Sequence, residues 1–173
     1  MHELILGGAR SGKSRHAEIR AEASGLEVVY IATAQALDDE MAARIARHRG
    51  QRPAEWGLVE EPLALAAALQ REAAGDRCLL VDCLTLWLSN LLLTDEPDRL
   101  ANETEQLLAL LPDLPGHIIL VSNETGLGVV PMGALSRRYV DAAGWLHQAL
   151  AAHCQRVTFC VAGLPQVLKG EPV

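Results

Sequence analysis

Eight residues near the start of the chain, Gly7-Gly8-Ala9-Arg10-Ser11-Gly12-Lys13-Ser14, have the types and spacing that hold a triphosphate. They fit the pattern G-x-x-x-x-G-K-[ST], with Gly7, Gly12, Lys13 and Ser14 at its fixed places. Glycines let the backbone curl around phosphate oxygens and present several N–H groups at the start of a helix, whose dipole favours anions. In such a loop the lysine reaches the β and γ phosphates and the serine ligates Mg²⁺. The mechanism demands a strand before the loop and a helix after it. Leu4-Ile5-Leu6 is a short apolar strand signal, and Ser14 to Glu22 is helix-forming.

A second carboxylate is expected beside the metal. Cys78-Leu79-Leu80-Val81-Asp82 is an apolar run ending in an acid, the arrangement by which P-loop proteins place a carboxylate near Mg²⁺ at a strand's carboxyl end. Asp82 is therefore paired with Ser14 as a metal ligand, against the alternative of a cap for the following helix. Asn123-Glu124, after the apolar Ile118 to Val121, is a similar polar switch and serves either the site or a turn.

Of the six histidines, His2 is near the terminus, His117 opens a strand, and His147 and His153 lie on a long helix where structural roles are expected. His16 follows the phosphate loop by one turn. His48 differs, because Arg44, Arg47, Arg49 and Arg52 surround it in an otherwise acidic chain. That cluster suits a triphosphate and the charge developing on a transferred phosphoryl or nucleotidyl group. Its alternative is a helix end whose cations complement the dipole.

These residues need a scaffold. At 173 residues with 50% hydrophobic content, the chain predicts one domain spanning residues 1–173. The net charge of −7 has no compensating basic block and aromatics are 3%, which argues against nucleic acid as a partner. Cys78, Cys83, Cys154 and Cys160 form no C-x-x-C pair, so reduced, buried thiols are expected. With no apolar stretch near 18 residues and no signal-peptide pattern at the start, a cytoplasmic protein without a membrane span is expected. Further strand signals fall at Glu27 to Ala32, Arg77 to Asp82, Gly116 to Ser122 and Arg156 to Ala162. Helices are predicted from Asp38 to about His48, from Leu63 to Ala74 with Pro62 in the first turn, from Leu100 to Leu111, and from about Ala134 to His153. The alternation predicts an α/β fold: a mainly parallel sheet with helices on both faces.

The chain resembles the bifunctional adenosylcobinamide kinase/adenosylcobinamide-phosphate guanylyltransferase family of cobalamin synthesis. The matching blocks are residues 7 to 14, Tyr30-Ile31-Ala32-Thr33-Ala34-Gln35, residues 37 to 45, His48 with Arg52-Pro53, Glu60, Asp82-Cys83-Leu84-Thr85, and residues 122 to 128 with Val130-Pro131. They run in order along nearly the whole chain, and the Leu37-to-Ile45 block leading to the histidine is more particular than the phosphate loop. The resemblance implies a RecA-like P-loop NTPase fold, phosphorylation of adenosylcobinamide by ATP or GTP, and transfer of GMP from GTP to the resulting phosphate through a guanylyl-histidine. His48 matches that histidine; some relatives carry two adjacent histidines there, whereas this chain has Arg47-His48. Ala32, Thr33, Ala34, Glu60 and Asp82 match nucleotide-contacting positions, and Arg49, Gly50, Gln51 and Arg52 flank the nucleophile. A homotrimer with the site near a subunit interface is also implied. The rival readings are a simpler P-loop kinase acting on a nucleoside or coenzyme precursor, and a nucleotide-dependent switch; the switch is disfavoured because no Asn-Lys-x-Asp guanine reader occurs.

Overall fold

The computed structural model describes residues 1–35 and 53–171. Strand runs with Val, Ile and Leu at successive positions cannot leave one face wet, so they require cover on both sides. Among the described residues, β1 (His2–Gly7), β2 (Glu27–Ala32), β3 (Gly57–Glu60), β4 (Arg77–Asp82), β5 (His117–Asn123), β6 (Arg156–Val161) and β7 (Leu164–Lys169) form one sheet. Its order is β3-β2-β4-β5-β1-β6-β7. All neighbours are parallel except β6 and β7. The helices are α1 (Lys13–Ala23), α2 (Leu65–Glu72), α3 (Leu84–Leu92), α4 (Arg99–Leu110) and α5 (Ala134–His153), with a 3₁₀ turn at Leu111–Asp113.

The two-residue period of a strand divides its side chains between two cores. Leu4, Leu6, Val29, Ile31, Leu79, Val81, Ile118 and Leu120 pack with Leu69 of α2, Trp87 and Leu88 of α3, Leu107 of α4 and Leu146 and Leu150 of α5. Ile5, Val28, Tyr30, Leu80, Ile119 and Val121 belong to the opposite face, where α1 contributes Ala17 and Ala21 from successive turns. In the larger core Trp87 is fully buried and its indole N–H donates to the Leu63 carbonyl at 2.7 Å. Truncating such a residue to alanine costs about 3–5 kcal/mol.

Among the described residues the predicted elements are present with corrected ends. The strand expected from Gly116 starts at His117, because Gly116 is a turn residue with φ 80°. The strand expected to reach Ala162 stops at Val161. The helix expected from Leu63 begins at Leu65, with Pro62 ahead of it rather than in its first turn; the Glu61 carboxylate instead accepts the N–H groups of Leu63 and Ala64 at 3.0 and 2.8 Å. The helix predicted from Asp38 to His48 lies outside the described residues. Three elements were not predicted: the short β3, the apolar α3, and β7. The last returns antiparallel through a two-residue turn at Ala162-Gly163, with φ 53° and 80°. Positive φ at both central residues matches the right-handed twist of a hairpin. All four cysteines are free and buried, as expected.

Candidate nucleotide-binding site

The phosphate loop leaves β1 at Gly7 and enters α1 at Lys13, the strand-to-helix setting that the sequence pattern requires. Gly12 is the N-cap of α1 with φ 90°, and among the described residues no side chain caps the helix, which suits its first-turn N–H groups to an anion. Backbone contacts fix the loop. Ser11 N–H donates to the Gly8 carbonyl at 3.3 Å, and the N–H of Gly163, in the β6–β7 turn, donates to the Ser11 carbonyl at 2.9 Å. A Cβ on Gly7 would lie 2.4 Å from Ser11 Oγ and 2.7 Å from the Cys160 carbonyl oxygen; one on Gly12 would lie 3.0 Å from Gly163 Cα. Among the described residues a Cβ on Gly8 would meet nothing within 4 Å. Lys13 Nζ donates to the Gly8 carbonyl at 3.1 Å, an interaction a phosphate oxygen can replace. Ala9 and Arg10 are exposed at the tip, Arg10 with φ 55°.

Parallel strands bring the other predicted residues to the same edge of the sheet, since their carboxyl ends all point one way. Asp82 ends β4, paired with Ala32 on β2 and with Val121 on β5. Glu60 ends β3 opposite Ala32. Asn123 ends β5 opposite Gly7, so β5 lies between the P-loop strand and the Asp82 strand. The cap reading of Asp82 does not hold: the N-cap of α3 is Cys83, and no side chain caps that helix. Thr33 is fully buried, and its hydroxyl donates to the Cys83 carbonyl at 2.7 Å and accepts the Cys83 N–H at 3.1 Å. Ala34 follows, partly buried. His48, Arg49, Gly50, Gln51 and Arg52, with Arg44 and Arg47, lie outside the described residues.

Among the described residues, Ser11 Oγ and Asn123 Oδ1, two buried oxygens at this edge, have no hydrogen-bond partner. Orphaned acceptors of this kind suit a hydrated ligand. Ser14 in the first turn of α1 and the Asp82 carboxylate are hard oxygen donors of the type Mg²⁺ takes alongside water and phosphate. The residues present therefore fit the expected ion.

Asn123 and Glu124, left open between site and turn, both meet the loop. Glu124 N–H donates to the Gly7 carbonyl at 3.1 Å. His147, expected to be structural, is buried with Nε2 2.8 Å from Ser122 Oγ and Nδ1 3.8 Å from Glu124 Oε2. Burial holds its pKa below the ordinary histidine value, although Glu124 opposes that shift. A helical histidine facing a strand-end acid is a tertiary relation with no local signal, which is why sequence reading passed over it. Burial, then Asp82, pushes the Cys83 thiol up to about 11, which disfavours its thiolate.

Comparison with known proteins agrees with this geometry. The chain is similar to a Pyrococcus horikoshii OT3 structure at a TM-score of 0.59, with 10% identity over 99% of this chain and 87% of that one. It is similar to the RadB recombinase at 0.50, with 16% identity over 91% and 73%. These likenesses show the fold alone, a mainly parallel sheet with helices on both faces, as the sequence predicts. A bifunctional adenosylcobalamin biosynthesis protein CobP from Pseudomonas aeruginosa is 71% identical over the full length of both chains. A bifunctional adenosylcobalamin biosynthesis protein CobU from Escherichia coli is 39% identical over 96% of this chain and 98% of its own. The family model for cobinamide kinase/cobinamide phosphate guanyltransferase matches residues 3–168, and the chain belongs to that family.

Proposed function

We propose that one nucleotide site carries out both reactions of this cobinamide kinase and cobinamide phosphate guanylyltransferase. The observation that carries the reading is the full-length match to a bifunctional relative on a chain whose phosphate loop, Asp82 and Asn123 share one sheet edge. In the kinase step the side-chain hydroxyl of adenosylcobinamide forms a bond to the γ phosphorus of ATP or GTP, and the nucleoside diphosphate leaves. The loop N–H groups and Lys13 bind the phosphates, so the P-loop orients the γ phosphoryl for in-line attack. Ser14 and Asp82 are the residues that would hold Mg²⁺, which when bound offsets charge on the phosphate oxygens.

In the second step His48 attacks the α phosphorus of GTP and pyrophosphate leaves; the acceptor phosphate then takes GMP from the histidine, giving adenosylcobinamide-GDP. A histidine nucleophile splits one difficult displacement into two. Arg49 and Arg52, in the same block as Gly50 and Gln51, supply positive charge for the leaving pyrophosphate. The nucleotide-contacting roles of Ala32, Thr33, Ala34 and Glu60 belong to the same reading, supported by their place beside Asp82.

A homotrimer is part of this reading, supported by the exposed apolar side chains of Leu127, Val129, Val130 and Met132 in the segment that follows Glu124. Among the described residues no helix is long and apolar enough to cross a membrane, in keeping with a cytoplasmic site of action. The test is product mass. With adenosylcobinamide, GTP and Mg²⁺, the corrinoid gains a phosphoryl group and then GMP, and folded Lys13→Ala protein yields neither product. A Lys13→Ala enzyme with near-normal rates rules out this loop as the triphosphate site.

A further inference from the structure

A buried polar chain runs from the core to the mouth of the phosphate loop. Ser122 Oγ, fully buried on β5, lies 2.8 Å from His147 Nε2 on α5; His147 Nδ1 lies 3.8 Å from Glu124 Oε2. The other carboxylate oxygen, Oε1, accepts the Gly126 N–H at 2.6 Å. Ser122 has no access to substrate, so the trio is not a nucleophilic triad. Its open end is Glu124, whose side chain is 23% exposed and whose own N–H is bound to the first residue of the P-loop. Because β5 is inserted between β1 and β4, a residue emerging from its carboxyl end stands between the phosphate loop and Asp82. A carboxylate with a histidine 3.8 Å behind one oxygen, an amide bonded to the other and partial exposure at the sheet edge that carries the phosphate loop has the setting of a proton acceptor.

We propose that Glu124 takes the proton of the acceptor hydroxyl in the kinase step, and that His147, seated on Ser122, is the positioning residue that holds the carboxylate in place; this rests on the kinase reading above. The hydroxyl oxygen forms its bond to the γ phosphorus as the bond to the bridging oxygen breaks. The electron pair of that bond leaves with the nucleoside diphosphate, and the hydroxyl proton passes to a Glu124 oxygen. Guanylyl transfer differs, since its acceptor is a phosphate that is already anionic and needs no base. Glu124 therefore divides the two reactions, whereas the phosphate loop serves both.

The test separates the half-reactions in Glu124→Gln, Glu124→Asp, His147→Gln and the Glu124→Gln/His147→Gln double variant, each checked for folding by its melting curve and for binding of a fluorescent GTP analogue. The expected result is a loss of ~10²-fold or more in kinase kcat for Glu124→Gln, with nucleotide affinity held within a few-fold and guanylyl transfer to supplied adenosylcobinamide phosphate retained. Glu124→Asp recovers part of the kinase rate. His147→Gln lowers it by ~10-fold, and in the double variant adds nothing to Glu124→Gln, as a residue acting through the carboxylate must. Kinase turnover near the wild-type rate in Glu124→Gln, equal loss of both activities, or additive effects in the double variant would overturn the proposal. Wild-type protein that binds GTP but never phosphorylates the corrinoid would instead refute the kinase reading itself, and is recognised before any variant is compared.

Discussion

Thr33 and Cys83 are clasped through one hydroxyl: Thr33 Oγ1 donates to the Cys83 carbonyl at 2.7 Å and accepts the Cys83 N–H at 3.1 Å, inside the protein. Asn90 tightens the same junction by donating to the Thr33 and Pro62 carbonyls at 2.8 and 3.0 Å. The clasp ties the end of β2 to the turn that carries Asp82. Thr33→Val keeps the shape and leaves a buried N–H and carbonyl unpaired, so it is expected to cost about 1–3 kcal/mol of stability. Because Asp82 is displaced with the turn, the Mg²⁺ concentration for half-maximal kinase activity should rise, as it should in Asp82→Asn. A Thr33→Val protein that melts lower but titrates normally with Mg²⁺ would make the clasp purely structural.

The phosphate loop is braced from the far side of the sheet order by the β6–β7 turn. Gly12 sits at φ 90°, and a Cβ there would lie 3.0 Å from Gly163 Cα. Gly12→Ala combines a left-handed backbone with that close approach, a strain on the order of 1–2 kcal/mol. Nucleotide affinity should fall by ~10-fold while the melting temperature changes by a few degrees. Unchanged affinity for a fluorescent GTP analogue would show that the loop tolerates the shift.

Sequence made the phosphate loop, the strand-helix alternation and Asp82 legible, because each is written in local spacing: glycines at fixed offsets, apolar runs, an acid at a strand end. It did not reveal the Gly163 brace or the His147–Glu124 contact, since both join residues far apart in the chain. Helix α3 escaped notice because Leu84 to Leu92 is two-thirds apolar, with Thr85, Ser89 and Asn90 its polar residues, and starts from Cys83 without a capping side chain. Strand β7 escaped because Gly163-Leu164-Pro165 reads as a loop, and proline is tolerated there only because β7 is the edge strand.

At the opposite end of the strands, Glu3 is fully buried between Arg20, whose guanidinium donates to both carboxylate oxygens at 2.5 and 3.1 Å, and His117, whose Nε2 lies 3.0 Å away. Burial raises its pKa, but the bonds from His117 and Arg20 outweigh that and bring it from 4.5 to about 2. A folded pKa below the unfolded one means that this stabilisation is complete above about pH 4.5 and is lost as pH falls towards 2. It amounts to at most roughly 3–4 kcal/mol. Glu3→Gln should thus lower the melting temperature at pH 7, and the gap to wild type should narrow steadily below pH 4.5. A gap independent of pH would assign the loss to packing alone.

The central claim is that His48 carries GMP from GTP to adenosylcobinamide phosphate, and covalent labelling tests it most directly. Wild-type protein incubated with Mg²⁺ and GTP labelled on its α phosphate should acquire protein-bound label that acid removes and base does not, the behaviour of a phosphoramidate. His48→Ala, still binding nucleotide through the phosphate loop, should acquire none and transfer no GMP, while retaining at least part of its kinase activity. Label of the same stability on folded His48→Ala protein would contradict the account.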